Sequence, residues 1–262
     1  MTPEELLAVY DAEVRSSYAK HLPARWTVEQ DGPLRRCLTP RNGFAQLTED
    51  ASDLAHDELV ALVDRTFAFY RERGLGFEWK TFDHDRPDLV PLLVERGARA
   101  EPHEALVMGP AAALAAEPTL PAGLTLTRAT DRADLERIAE LMSEVWAEDR
   151  SWLADDLEAR LAGPEPIEIF VVKDGDRAVS AAWLVPLPGT RVAGLWGGST
   201  RATYRGRGIY RALVAHRARI ALERGYPILQ VDASDDSRPI LERLGLQVVG
   251  GTTPYVVDPP SA

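Results

Sequence analysis

The sequence predicts an α/β protein built from two related units, each a twisted mixed sheet flanked by helices. Three observations carry that expectation. Short alternating runs of apolar and polar residues interleave with segments of helical period. The order of these segments repeats. Ala61-Leu62-Val63 precedes Glu72-Arg73-Gly74, and Ala212-Leu213-Val214 precedes Glu223-Arg224-Gly225, a shift of 151 for both members. Arg86-Pro87 and Arg238-Pro239 follow at a shift of 152, each opening a short helix closed by a glycine, Gly97 or Gly245. Several matches in order at a near-constant offset indicate a duplicated unit. Finally, residues 109–123, GPAAALAAEPTLPAG, hold three prolines and two glycines without hydrophobic period. That composition reads as a linker and divides the chain into 1–117 and 118–262.

Each element has its own signal. The first half reads as a helix over 3–20, strands near 25–30, 33–38 and 43–48, and a helix over 57–73. A strand over 76–82, a helix over 87–96 and a strand over 103–108 complete it. In the second half LTLTRAT (124–130) alternates like a strand, and Asp131 caps a helix running to Trp146. A second helix spans Ser151 to Gly163. IEIFVVKDGDRAVSAAWLVPL forms two strands around a Lys-Asp-Gly-Asp turn, and RVAGLWGGST is a glycine-rich strand. Residues 208–224 form a long helix stopped by Gly225. YPILQVDA is a strand, SRPILERLG a short helix, and LQVVGGTTPYVV the last strand or pair.

Composition narrows the function. The chain has 262 residues, 45% hydrophobic and 27% charged, with a net charge of −11. Such acidity argues against general nucleic-acid binding, which rests on neutralising phosphates. No apolar run is long enough to span a membrane. The acidic N-terminus does not read as a signal peptide, so a cytoplasmic location is expected. The single cysteine, Cys37, excludes an intrachain disulfide. His21, His56, His84 and His103 show no metal-ligand spacing, so no metal is expected. His216 shares a helix face with Ile209, Leu213 and Ile220, which predicts a semi-buried structural residue.

The chemistry concentrates at Arg205-Gly206-Arg207-Gly208-Ile209-Tyr210, at the mouth of the 208–224 helix. The first amides of a helix lack internal partners, and the helix dipole adds positive charge there. Phosphates bind such ends when no side chain blocks the backbone. Gly206 and Gly208 clear that approach, and Arg205, Arg207 and Arg211 supply charge. The corresponding stretch of the first half, Leu54-Ala55-His56-Asp57-Glu58-Leu59, has lost the glycines and gained two acids. Only the second copy is therefore expected to bind a phosphorylated ligand.

Strand, glycine loop, helix and strand in this order resemble the GNAT acetyltransferase superfamily. Its acetyl-CoA signature is Arg/Gln-x-x-Gly-x-Gly/Ala. Arg205 and Gly208 satisfy it, while Tyr210 stands where a small residue is usual and must turn aside. The resemblance covers about 124–257, and the first half looks like a degenerate copy, as in tandem GNAT proteins with one silent half. It implies that residues 205–210 bind acetyl-CoA, that the pantetheine arm adds to the strand at Gly198-Ser199-Thr200, and that an amine attacks the thioester directly. Ser234 falls at the position of the family's cofactor-side asparagine.

The family's tyrosine acid is missing, because Leu241 occupies its position; another group or solvent must protonate the thiolate. The oxyanion donor would be a backbone amide near Ser199. Asp232 is a candidate base or a turn cap. Tyr255 either reaches the cleft from the last strand or packs in the sheet. Glu144 and Asp149 either hold a cationic amine or are solvated. Trp146 and Trp152 either wall an acceptor pocket or form a small cluster. The expected activity is acetyl transfer to a primary amine, small or peptidic, with a homodimer as a common family arrangement. A CoA-binding sensor or scaffold, and an enzyme of another phosphorylated cofactor, are the competing readings.

Overall fold

The computed structural model describes residues 1–16 and 26–260. The chain forms two compact units whose segments interleave. The first comprises Met1–Val107, Asp232–Arg238 and Val248–Ala262; the second comprises Met108–Val231 and Pro239–Gln247. The expected helix end at 17–20 and the strand start at 25 lie outside the described residues.

The first unit opens with α1 (Pro3–Val9), which has a capping box between Thr2 and Glu5 and continues into a wider π turn at Tyr10–Arg15. β1 (Thr27–Asp31), β2 (Leu34–Leu38) and β3 (Gly43–Leu47) form an antiparallel meander. α2 (His56–Arg71) then crosses over, so that β4 (Phe77–Phe82) runs parallel to β3. α3 (Leu89–Glu95), β5 (Arg99–Ala100) and β6 (Glu104–Pro110) follow. The far side of β4 is completed from the other end of the chain. β12 (Gln247–Val257) pairs antiparallel with it, from Thr252↔Phe82 to Val257↔Phe77. Under α2 and α3 lies an apolar core that includes Leu59, Leu62, Tyr70, Trp79, Leu93 and Tyr255.

Gly43 shows how tightly that core is filled. A Cβ there would overlap the Tyr70 ring. That ring is stacked on Phe77, with centroids 4.4 Å apart, and its hydroxyl donates to the Phe44 carbonyl at 2.7 Å. Gly43→Ala is expected to lower stability by about 1–3 kcal/mol, the usual cost of overpacking. Chemical denaturation should report it as a lower midpoint at unchanged slope.

The second unit begins with the end of β6 and with α4 (Ala111–Leu114). The first part of the expected linker is thus ordered. The Ala111 amide donates to the Pro227 carbonyl at 2.8 Å, and Leu114 is buried. After β7 (Leu124–Arg128), Asp131 accepts from the Asp134 amide and starts α5 (Arg132–Trp146), as expected. α6 (Leu153–Ala162) precedes the antiparallel strands β8 (Glu168–Asp174), β9 (Arg177–Pro186) and β10 (Val192–Thr200). α7 (Ile209–Glu223) crosses to β11 (Ile228–Ala233), which runs parallel to β10. α8 (Arg238–Arg243) precedes β12.

The two faces of this sheet are distinguished by strand alternation. Ile169, Val171, Ala181 and Trp183 pack with α5 and α6. Phe170, between two of them, points the other way and meets the α7 residue His216 edge-on, at 4.8 Å between centroids. His216 is half-buried, and burial pulls its pKa below the ordinary value, as expected for a structural residue.

Candidate functional site

β10 and β11 stay together only briefly. Their pairing runs from Val192↔Ile228 to Gly194↔Gln230, although β10 continues to Thr200. Beyond Gly194 the open edge of β10 has no partner in β11. On its other edge, β10 follows β9 through Trp196↔Trp183 and resumes at Ser199↔Ala181. Three steps on β10 against two on β9 make a β-bulge. Gly197 is the reason it forms: its φ is +63°, and the Trp183 ring occupies the space a Cβ would take.

Arg217, on α7, holds the bulge from beneath. Its Nη1 donates to the carbonyls of Trp183 at 3.1 Å and Trp196 at 3.3 Å, and its Nε donates to Leu213 at 3.1 Å. The side chain is fully buried, and burial pulls its pKa down to about 10. Ser199 is fixed from two sides. Its hydroxyl accepts from Trp146 Nε1 at 3.1 Å, and its carbonyl accepts from the Ser180 hydroxyl at 2.7 Å. Ser180 also meets the Thr200 hydroxyl at 2.8 Å.

The loop from Arg201 to Gly208 connects this strand to α7. Arg201 anchors it: the buried side chain donates from Nε to the Ala178 carbonyl at 2.7 Å and pairs with Glu144. A short turn follows, with the Tyr204 and Arg205 amides donating back to Arg201 and Ala202. Then donation stops. Among the described residues, the amides of Gly206, Arg207, Gly208 and Ile209 have no acceptor, until Ala212 donates to Gly208 at 3.0 Å.

Gly206 and Gly208 have φ values of +72° and +84°, where other residues are strained. The space over both is open: a Cβ on Gly206 would meet nothing within 4 Å, and one on Gly208 only Arg211 Nη2, at 3.9 Å. Arg205, Gly206 and Arg207 are exposed, and Ile209 is buried as the first core residue of α7. Arg207 lies over the Tyr204 ring at 5.1 Å, and the Tyr204 hydroxyl donates to Asp174 at 2.7 Å. Tyr210 does turn aside. Its ring packs on Gly198, where a Cβ would sit 2.9 Å from Cε2, and not over Gly206 or Gly208. The result is a row of outward amides at the mouth of a fifteen-residue helix, which is a ready anion site.

The same stretch of chain matches a known family. Residues 134–246 match the acetyltransferase (GNAT) family. Residues 134–246 are thus similar to an acyltransferase family. No curated protein sequence matches it. Solved structures resemble it in fold. A GCN5-related N-acetyltransferase from Kribbella flavida has a TM-score of 0.73 at 18% identity, covering 96% of each chain. A tandem GNAT protein from the clavulanic acid biosynthesis pathway has a TM-score of 0.63 at 12% identity, covering 100% of this chain and 98% of that one. A GCN5-related N-acetyltransferase from Sphaerobacter thermophilus has a TM-score of 0.62 at 15% identity, covering 88% of this chain and 78% of that one. Among the described residues no helix is long and apolar enough to cross a membrane, and no cluster of groups suits a metal ion.

The remaining candidates lie in the first unit. Asp232, two residues past the last β10–β11 pair, is nearly buried and bonded to Lys80 Nζ at 2.5 Å. Glu78 and Glu104 interact with this pair, and burial first, then neighbouring acids, raise both carboxyls above their ordinary range. Ser234 is exposed in a turn, its carbonyl accepting from the Ser237 and Arg238 amides. Tyr255 packs in the first unit's core, directly across from Trp79, so its ring is a core element and not a cleft wall.

Glu144 is engaged by Arg201 and Arg177, while Asp149 caps the Ser151 amide at 3.0 Å. Trp152 packs on the α5–α6 core, whereas Trp146 is exposed. Cys37 is buried and its thiol is pushed up to about 11, which removes it as a nucleophile. Sequence reasoning missed Arg201, Arg217, Ser180 and Lys80. For Arg217 a signal existed, since it falls four residues after Leu213 on the apolar face of α7. Lys80 had none, because its partner is 152 residues away.

Proposed function

We propose that the second half, 118–262, is an N-acetyltransferase that moves an acetyl group from acetyl-CoA to a primary amine. The first half, 1–117, is then a degenerate GNAT-like copy that has lost the cofactor loop. The observation that carries this reading is the row of unpartnered amides from Gly206 to Ile209, beside a strand that parts from its neighbour. The residues fit the cofactor. A diphosphate would accept from these amides with Arg205 and Arg207 alongside, and the freed edge of β10 near Ser199 and Thr200 offers main-chain partners to an amide-bearing arm.

When bound, acetyl-CoA supplies an activated acyl carbon. The chain supplies position: Arg217 and Ser180 fix the bulge, and a backbone amide near Ser199 is the candidate donor to the oxyanion. Asp232, bonded to Lys80, is the candidate acceptor of the amine proton. With Leu241 in place of the usual tyrosine, solvent returns a proton to the thiolate.

The duplicated topology supports the tandem reading. In both halves an antiparallel strand pair leads into a helix and a parallel strand: β2–β3, α2, β4 and β9–β10, α7, β11. The first half's helix starts differently. Asp57 and Glu58 sit in its first turn, with Glu58 accepting from the Ala55 amide at 2.9 Å, so carboxylates fill the place where phosphates would go. A cytoplasmic enzyme without nucleic-acid or membrane partners agrees with the net charge of −11.

The test is calorimetric titration with acetyl-CoA, followed by thiol release with a panel of amines. Binding that CoA competes and ATP does not, together with turnover of an amine, is expected. Binding without any turnover would make the protein a CoA sensor. Displacement by nucleotides but not by CoA would point to another cofactor.

A further inference from the structure

Among the described residues, Trp146 and Trp196 are the aromatics of the large exposed apolar side chains, at 53% and 39% exposure. Both lie near Ser199. Trp146 ends α5 and bonds the Ser199 hydroxyl through Nε1. Trp196 lies three residues before Ser199, on the near side of the bulge. Directly paired residues of neighbouring strands share a face. Trp196 pairs with Trp183, and Ser199 with Ala181, both members of the α5–α6 cluster. Trp196, Ser199 and Trp146 therefore share the α5 side of β10. Tyr210 and α7 lie on the opposite side, against Gly198.

The charges around these rings are already matched. Glu144 is held by Arg201 and Arg177, and Glu148 by Arg150. Arg150 in turn lies over the Trp146 ring at 5.1 Å, so one ring face already carries a cation. An acceptor with several ammonium groups would find these carboxylates engaged. An acceptor with a flat apolar body would find two indoles, each with a large area to cover. They adjoin Ser199, the residue nearest the proposed transfer.

We propose that the acceptor is an arylalkylamine, its ring held by Trp146 and Trp196 on the α5 side of the β10 bulge. This rests on the acetyltransferase reading and specifies its second substrate. The step is balanced without further reactants. The neutral amine nitrogen bonds to the thioester carbon, the carbon–sulfur bond breaks, the amine releases a proton, and the thiolate takes one from solvent. The products are an aryl-alkyl acetamide and CoA.

The full-length chain is assayed for thiol release with acetyl-CoA and 2-phenylethylamine, tryptamine, spermidine or kanamycin. For either aryl amine, kcat/KM is expected to exceed that for spermidine by about 100-fold or more. Trp196→Ala should raise KM for 2-phenylethylamine about 10- to 100-fold, the range for losing one large apolar contact. Its KM for acetyl-CoA should not move, since the loop from Gly206 to Ile209 is untouched. Trp146→Ala should act in the same direction, with the melting temperature of both variants checked against the parent.

Faster turnover of spermidine or kanamycin would overturn the acceptor class and leave acyl transfer standing. So would acetyl-CoA binding without turnover of either aryl amine, or an unchanged KM in both tryptophan variants. Absence of acetyl-CoA binding in the parent would instead remove the acetyltransferase reading itself.

Discussion

Gly208→Asp is expected to weaken acetyl-CoA binding by about 100-fold or more while the protein stays folded. Two effects oppose each other at this position, and their sizes decide the outcome. The backbone is left-handed, with φ +84°. Any side chain there costs roughly 1–2 kcal/mol, and aspartate is among the residues that tolerate it best. There is room for it, since the nearest atom to a Cβ would be Arg211 Nη2. The fold therefore absorbs the change. The proposed ligand does not, because the new carboxylate would stand at the mouth of α7 among the amides assigned to its phosphates. Like charges held together across an interface cost several kcal/mol, and each 1.4 kcal/mol is a factor of ten. Gly208→Asn is the control, with the same backbone strain and no charge. Calorimetry should find the asparagine variant within about tenfold of the parent. Equal losses in both variants would mean that backbone shape, and not charge, sets the affinity.

Gly197→Val has the larger effect on the fold. Its φ of +63° is a strained conformation for a β-branched residue, and the Trp183 ring fills the Cβ space. Strain of about 1–3 kcal/mol adds to overpacking of about 1–3 kcal/mol. For a chain of this size each kcal/mol shifts the melting temperature by about 2–4 °C. A drop of about 4–24 °C is expected by calorimetry. Gly197→Ala combined with Trp183→Leu separates the two terms, since the smaller partner relieves the collision and leaves the strain. The double variant should recover part of the loss and no more. Full recovery would show that the conformation at 197 is not strained, and that the bulge has another cause.

Much of the frame was legible because its signals are local. The Asp131 cap, the helix from 208 and the glycine loop each sit within a short window, where periodicity and turn chemistry act. The placement of His216 followed from helix phase alone. What escaped depends on residues distant in sequence. Nothing near Gly197 announces that Trp183 needs its space. The sequence leaves Asp232 open as a base or a turn cap, because its partner Lys80 is 152 residues away. It leaves Tyr255 open as a cleft or a packing residue, and the pairing of β12 with β4 sets it across from Trp79. The linker reading also underestimated Ala111–Leu114, because an alanine-rich turn has no period of its own and becomes ordered by what it packs on.

The interleaving of the two units has a consequence for how the protein is made. The first unit's sheet is completed by β12, which leaves the ribosome long after β4. Until β12 emerges, the edge of β4 that it covers is bare, the kind of surface on which nascent chains stick to one another. The first unit therefore cannot finish folding when its amino-terminal segment has been made. Its completion waits for a strand encoded some 165 residues later.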